Sequence, residues 1–230
     1  MLKSLLIVAL CLIARAAPAA DLTAQEIRWL EAAAPVLGYA HTLKLPIDIV
    51  VQPTAGLNDV PMAMGFDGKR CKLVLSMRGG ADADAILSGV AQEQRALMIE
   101  AMAAHEVGHC WRYVQGVWHA LPAGFTQAAD SAVAGDAELS QMRRQMREMR
   151  REEGYSDLVA LAWTARHHPA QYQAVLGWLK TVRAAGVIPR GGHDTMAWVA
   201  LARDPAGFKP DTTPFEAVDA LWTAGLLRED

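Results

Sequence analysis

The sequence predicts an α+β domain that is predominantly helical and carries a small β-sheet in its first half. Three short segments rich in β-branched and other apolar residues, 46–51, 60–66 and 71–77, have the character of strands. An Asp67-Gly68 pair between the last two indicates a hairpin turn. Beyond the strands, apolar residues recur at the three- and four-residue spacing of helices. Because the strands come first and the helices follow, we expect an α+β fold with a hairpin or a small mixed sheet.

The first helix is predicted to begin at a capping box, in which Thr23 and Glu26 bond each other's backbone N–H groups. Ile27, Leu30 and Ala34 follow at helical spacing. The later helical segments are expected at about 93–115, 126–166, 170–185, 195–203 and 214–228. Prolines punctuate these segments, and the sequence contains no internal repeat or linker. A single domain is therefore predicted.

The N-terminus has the pattern of a secretory signal peptide. Lys3 supplies a positive start, residues 5–13 an apolar core, and residues 17–19 (Ala-Pro-Ala) a small-x-small cleavage site. The apolar run is shorter than the roughly twenty residues that span a bilayer, and no later segment is long enough. We therefore expect residues 1–20 to be removed and residues 21–230 to form one secreted or periplasmic domain without stable membrane insertion.

The charged residues argue against nucleic acid as a partner. The chain has 22 Lys and Arg against 25 Asp and Glu, a formal net charge of −3. A basic run at 143–151 contains Glu148, and Arg144 precedes it by the four residues typical of a helical ion pair. We interpret the run as a solvated helix face rather than a patch for an anionic partner.

Two cysteines, Cys71 and Cys110, remain after the signal peptide. In an oxidising compartment an even pair favours one disulfide, which would tie the strand with Cys71 to the helix with Cys110. Two separate buried thiols are the alternative, because free cysteine is among the most buried residue types. The sequence leaves both open.

Residues 105–109 have the pattern H-E-x-x-H within a predicted helix. The four-residue spacing places the imidazoles of His105 and His109 on one helix face, with the carboxylate of Glu106 beside the first. This arrangement suits two ligands of Zn²⁺ and a general base that acts on metal-bound water. Catalytic zinc usually takes three protein ligands, so a third is expected downstream.

Glu153 is favoured as the third ligand by helical periodicity. The downstream candidates are Glu138, Glu148, Glu152, Glu153, His119, His167, His168 and His193. Leu139, Met142, Met146 and Met149 form a stripe that we expect to face inward, and its continuation reaches Glu153, Asp157, Ala160, Leu161 and Thr164. Carboxylates on an apolar face need a partner, which a cation and a metal-bound histidine would supply. The alternative is that both carboxylates lie near the surface or pair with arginines, and Glu152 is the weaker ligand candidate.

Residues 153–157 (Glu-Gly-Tyr-Ser-Asp) resemble the E-x-x-S-D signature of the gluzincin metallopeptidases, the thermolysin-like group. The resemblance implies a zincin-like fold and a zinc metallopeptidase that cleaves peptide or protein substrates. The implied roles are zinc ligation by His105, His109 and Glu153, general base catalysis by Glu106, and orientation of His105 by Asp157. The resemblance covers two short motifs, and this chain departs from the group in two respects. It has Glu152 where the group usually has Asn, and 43 residues separate His109 from Glu153, more than in thermolysin.

His193 is the candidate donor to the oxyanion, because it follows two flexible glycines just before a predicted helix. The resemblance also implies a downstream His or Tyr in this role, with Tyr155 and Tyr113 as lesser candidates. In the alternative interpretation, Asp194 or Thr195 caps the helix and His193 is a solvent-exposed loop residue.

An extended peptide substrate would add to a sheet edge, and the strand at 71–77 is the candidate edge. Trp118, in a predicted loop, is a candidate to line the cleft, whereas core packing accounts for most other tryptophans. Two other classes of function stay open: an inactive zinc-binding protein, and a periplasmic interaction module without metal. The sequence indicates neither a regulatory partner nor the substrate preference.

Overall fold

The computed structural model of the protein describes residues 21–56, 59–79, 83–125, 137–185 and 188–228. The predicted signal peptide and the first part of the segment predicted as helical at 126–166 lie outside these ranges. The helices are α1 (Ala24–Thr42), α2 (Arg95–Val114), α3 (Ala137–His167), α4 (Tyr172–Ala184), α5 (Met196–Val199) and α6 (Asp219–Leu226). The strands are β1 (Ile47–Val51), β2 (Met62–Phe66) and β3 (Cys71–Leu75). The predicted α+β class is confirmed.

The last two helices are shorter than predicted. Helix α5 ends at Val199 and is followed by a 3₁₀ turn at Leu201–Arg203, and the chain at 214–218 forms turns before α6 begins at Asp219. Within the described parts of the chain, no helix is both long enough and apolar enough to cross a membrane.

The three strands form one mixed sheet in the order β1-β3-β2. Strand β3 pairs in parallel with β1 and antiparallel with β2, so that Cys71 lies opposite both Ile47 and Phe66. The predicted hairpin between β2 and β3 is confirmed. The prediction that the strand at 71–77 forms a sheet edge is wrong, because β3 is hydrogen-bonded on both sides. The edges are β1 and β2.

Helix α1 begins at the predicted capping box. The Thr23 hydroxyl accepts from the Glu26 N–H at 3.2 Å, and the Glu26 carboxylate accepts from the Thr23 N–H at 2.7 Å. The buried face is the row that contains Glu26 and Trp29, whereas Ile27 is exposed. This row is favoured because Arg78 binds the Glu26 carboxylate at 2.7 Å, and because Trp29 buries more apolar surface than Ile27 would.

Helix α2 lies at the centre of the fold and packs against α1, α3 and β2. Gly108 permits the close approach of α3: a Cβ at this position would lie 3.1 Å from the Ser156 hydroxyl and 3.3 Å from the Val159 Cβ. The two helices that carry the motif residues are therefore in direct contact along their buried faces.

Helix α3 is buried only in its second half. Most residues from Arg150 to Thr164 are buried. They include the later positions of the stripe that was predicted to face inward, which are Asp157, Ala160, Leu161 and Thr164. The predicted inward-facing stripe is wrong in the first half, where Met142, Met146 and Met149 are 50%, 41% and 46% exposed. The reason is length: α3 has 31 residues and α2 has 20, so the first turns of α3 extend past the helix they would pack against.

Cys71 and Cys110 form a disulfide that joins the central strand to α2, with Cα atoms 5.7 Å apart and a sequence separation of 39. Closing a loop of this size restricts the unfolded chain. We expect the double substitution to Ser to lower the free energy of unfolding by about 2–4 kcal/mol. Thermal unfolding with and without dithiothreitol measures this: the reductant should lower the Tm of the wild type and leave the variant unchanged. Equal Tm values for the two proteins would contradict it.

Candidate metal centre

Helix α2 presents His105 and His109 on one buried face, one turn apart. Their Nε2 atoms are 3.1 Å apart, and the ring planes are nearly perpendicular at 86°. Both Nε2 atoms point to a common space between α2 and α3, as the four-residue spacing requires.

Glu153 on α3 completes the group. Its Oε2 lies 3.4 Å from the His105 Nε2, and its Oε1 lies 3.3 Å from the His109 Nε2. Ligand atoms of the three residues lie within 4.8 Å of one another. The structure therefore brings together the two histidines and the glutamate that were predicted from the sequence as ligands.

The dimensions of this group suit a tetrahedral Zn²⁺ site. Ligand bonds of about 2.0–2.2 Å place neighbouring donor atoms about 3.3–3.6 Å apart in a tetrahedron. The two histidine–carboxylate separations, 3.3 and 3.4 Å, lie in this interval and involve different oxygens of Glu153, and the separation of the two imidazole nitrogens, 3.1 Å, lies just below it. The donor set of two imidazoles and one carboxylate is also one that zinc takes in hydrolytic sites.

The second nitrogen of each imidazole is held by α3. The Nδ1 of His105 lies 2.9 Å from Asp157 Oδ1, and the Nδ1 of His109 lies 3.0 Å from the Ser156 hydroxyl. With Nδ1 engaged, the Nε2 of each ring is left to face the common space, the orientation that a metal-ligating histidine needs. Asp157 thus occupies the place predicted for it, beside His105.

The electrostatics of the group favour a positive charge at its centre. Burial by itself lowers the pKa of His105, but the carboxylates of Glu153 and Asp157 outweigh burial and raise that pKa to about 10. Burial raises the pKa of Asp157, and Arg183 and His105 reverse this effect and hold it at about 2. Burial also raises the pKa of Glu153, but His105 and His109 outweigh burial and lower it, so both carboxylates favour a positive charge in the space between the rings.

Arg183 on α4 is a member of the site that the sequence did not single out. Its Nη2 donates to Glu153 Oε2 at 3.0 Å and to Asp157 Oδ1 at 2.6 Å, and its Nε donates to Asp157 Oδ2 at 2.8 Å. The Thr195 hydroxyl donates to the same Asp157 Oδ2 at 2.5 Å. The alternative interpretation, in which these carboxylates pair with an arginine, is thus confirmed. The pairing leaves Glu153 Oε1 beside the His109 Nε2, so that it does not exclude a cation.

Glu106 lies on the β2 side of α2, where the Met64 backbone N–H donates to its carboxylate. Burial raises the pKa of Glu106, partly offset by His105 and His109, and the net shift is upward. A carboxylate with a raised pKa is a stronger proton acceptor than an exposed glutamate.

His193 lies at the rim of the group, with its Nε2 3.6 Å from Glu153 Oε2 and its side chain 65% exposed. It is thus both solvent-exposed and adjacent to the centre. The capping alternative is wrong for Thr195, whose side chain makes no cap bond to α5 and binds Asp157 instead. Tyr155 is not an oxyanion donor, because its buried hydroxyl donates to the Phe215 carbonyl.

The other ligand candidates have different partners. Glu152 is buried against Arg112, and His168 contacts Glu100 at 2.9 Å. Glu148 lies 3.4 Å from the Nδ1 of His119. Within the described ranges, no metal-ligating group other than that of His105, His109 and Glu153 is found.

Comparison with protein-family models, curated proteins and solved structures gives no match to this chain. What the fold and the site define is an α+β protein with a buried two-histidine, one-carboxylate group, and the functional argument rests on that geometry.

Proposed function

We propose that the protein is a secreted or periplasmic zinc metallopeptidase of the gluzincin type, with a zincin-like domain. The observation that supports this most directly is the triangle of side chains formed by His105, His109 and Glu153: the two Nε2 atoms are 3.1 Å apart, and each lies 3.3–3.4 Å from one carboxylate oxygen of Glu153. Imidazole and carboxylate donors at this spacing suit Zn²⁺, and Glu106 stands beside the first histidine as the general base.

Each residue of the site has a separate role in the proposed reaction. His105, His109 and Glu153 would hold Zn²⁺, which would act as a Lewis acid and lower the pKa of a water molecule bound to it. Glu106 takes the proton of the water as its oxygen attacks the scissile carbonyl, and delivers that proton to the amine nitrogen as the C–N bond breaks. His193 donates to the developing oxyanion from the exposed side of the group. Asp157 and Arg183 keep His105 and Glu153 in place.

An extended peptide substrate is expected to bind along β2, the antiparallel edge of the sheet. This strand contacts α2, and its Met64 N–H reaches Glu106, so a peptide paired with it would pass close to the general base. Main-chain hydrogen bonds to a sheet edge hold a substrate regardless of its side chains. In this proposal β2 replaces the strand at 71–77 as the sheet edge that binds the peptide.

Metal analysis tests the ligand set. Protein purified without added zinc should contain about one Zn²⁺ per chain and hydrolyse a peptide mixture until a chelator is added. Glu153→Ala should reduce the zinc content to near zero, because two imidazoles alone hold zinc weakly. Glu148→Ala changes a partly exposed glutamate five residues earlier on α3, and this matched control should keep the metal. Equal zinc in the two variants would exclude Glu153 as a ligand, and zinc without any hydrolysis would favour the inactive zinc-binding alternative.

His193→Ala tests the oxyanion role. Loss of one donor to an oxyanion typically lowers kcat by about 10²–10³-fold. The zinc content should stay the same, since His193 is not part of the triangle, and KM should change little. His41→Ala, an exposed histidine in the last turn of α1, serves as the control. A kcat equal to that of the wild type would remove His193 from the mechanism.

A further inference from the structure

A row of three aromatic rings leads from the edge strand to the metal centre. The rings of Phe66 and Tyr113 stack with centroids 5.0 Å apart, and those of Tyr113 and Trp118 with centroids 3.8 Å apart. Trp118 then meets the ring of His109 edge to face at 5.6 Å. The row therefore begins at the end of β2 and finishes against one of the proposed zinc ligands.

Trp118 and Tyr113 do not belong to the hydrophobic core. Both are partly exposed, and neither is among the described side chains that form the core or pack against it. Phe66 does pack against the core and so anchors the row at its far end. These two rings pack on each other, and Trp118 also packs on His109, but neither packs on the core. They are therefore available to contact a ligand that enters the site.

The loop that carries Trp118 is fixed by a buried ion pair. The Nη2 of Arg112 donates to the carbonyls of Val117 and Ala120 at 2.8 and 2.9 Å. The carboxylate of Glu152 accepts from the backbone N–H of His119 at 2.8 Å. Because three backbone groups of the loop are bonded to buried charges, the indole is held in position before any ligand arrives.

The backbone of this loop is also unusual. His119 has a φ of +62°, in the left-handed region that residues other than glycine rarely adopt. Such a conformation persists only where surrounding contacts impose it, and here the Glu152 carboxylate binds the N–H of that same residue. The strained residue directly follows Trp118, so the structure maintains an unfavourable backbone conformation where the indole is presented to the site.

We propose that Trp118 and Tyr113 form the wall of a subsite that receives an aromatic or large aliphatic side chain of the substrate, next to the scissile bond. This proposal rests on the proposed peptidase function and names the substrate class. A side chain placed against these rings buries apolar surface, and an aromatic one also gains from ring–ring contact. A charged side chain would lose hydration there.

The proposal is tested with a mixture-based peptide library, whose cleaved bonds are identified by mass spectrometry, followed by kinetics on one matched peptide pair. The pair is identical except that one position flanking the scissile bond is Phe or Ala. We expect the wild type to select Phe, Tyr, Trp, Leu or Met at that position. Trp118→Ala should lower kcat/KM for the Phe peptide at least about tenfold and for the Ala peptide less than about twofold.

Trp178→Ala is the matched control. Trp178 is also partly buried and bonds the Ile86 carbonyl at 3.1 Å, with no described contact to the metal centre. It should leave the ratio of the two kcat/KM values unchanged. Zinc content is measured for each variant, and Trp118→Leu, which keeps an apolar side chain over Tyr113, replaces the alanine variant if that protein does not fold.

Each outcome decides the matter. A wild type that cleaves peptides without preferring a large apolar residue at either flanking position overturns the subsite and leaves the peptidase proposal standing. Equal losses on both peptides, in a variant that retains its zinc, also overturn it, since they indicate a structural role for Trp118. A wild type that binds zinc and cleaves no member of the library overturns both proposals.

Discussion

Replacing Glu106 by Gln is expected to remove peptide hydrolysis and to leave zinc bound. The amide oxygen of Gln can still accept the hydrogen bond from the Met64 N–H, so the local packing is preserved. An amide cannot take a proton from water at neutral pH, so the step that generates the nucleophile loses its base. General acid–base groups contribute about 10²–10⁴-fold, and kcat should fall at least by that factor.

The measurements for this variant are kcat on a cleaved peptide and the zinc content of the same preparation. Glu93→Gln is a suitable control, because Glu93 is exposed in the turn that precedes α2. Glu93→Gln should match the wild type in kcat and in zinc content. Undiminished turnover by Glu106→Gln at full zinc content would rule out the proposed general base.

Replacing Glu152 by Gln is expected to produce the largest loss of stability among single side-chain changes near the site. Glu152 and Arg112 are 1% and 5% exposed, and Arg112 Nε lies 2.5 Å from Glu152 Oε2. The guanidinium also lies over the rings of Tyr155 and Trp222, at 4.8 and 4.4 Å. Leaving this buried cation without its carboxylate should cost about 3–5 kcal/mol, or a fall in Tm of roughly 6–20 °C.

A double-mutant cycle separates the ion pair from simple packing loss. Arg112→Met combined with Glu152→Gln should be less destabilised than the sum of the two single variants, because no buried charge is then left unpaired. Asp48→Asn provides the exposed comparison, since Asp48 pairs with Arg70 and Lys72 at the surface, where water screens the charges and the pair contributes little to stability. If Glu152→Gln were no less stable than Asp48→Asn, the buried pair would have no special role in the fold.

The parts of the site that lie on one helix were predictable from sequence. Helical geometry alone fixes the relation between His105 and His109, and between Glu153 and Asp157, four residues apart in each case. That the two pairs meet was a prediction from the need of two carboxylates on an apolar helix face for a partner, a need that Arg183 also meets. The exposure of the Met142 to Met149 stripe was not predictable in this way, because periodicity marks a face and cannot show where a neighbouring helix ends.

The parts that depend on the path of the chain were not predictable. The order of the strands places β3 in the centre, although its sequence is that of any short apolar strand. Arg183 and Thr195 converge on Asp157 from α4 and from the start of α5, and no local spacing distinguishes them from other arginines or threonines. The cysteine pairing was open for the same reason, since a bridge requires proximity in space.

The position of Arg183 has a consequence for biosynthesis. Ribosomes make the chain from its N-terminus, so both imidazoles and the carboxylate of Glu153 emerge before the guanidinium that neutralises Asp157. Until α4 has docked, Glu153 and Asp157 lack the guanidinium that binds them both. We therefore expect a polypeptide that ends before α4 to hold the two histidines and the two carboxylates together less firmly, so that formation of this group is coupled to completion of the polypeptide.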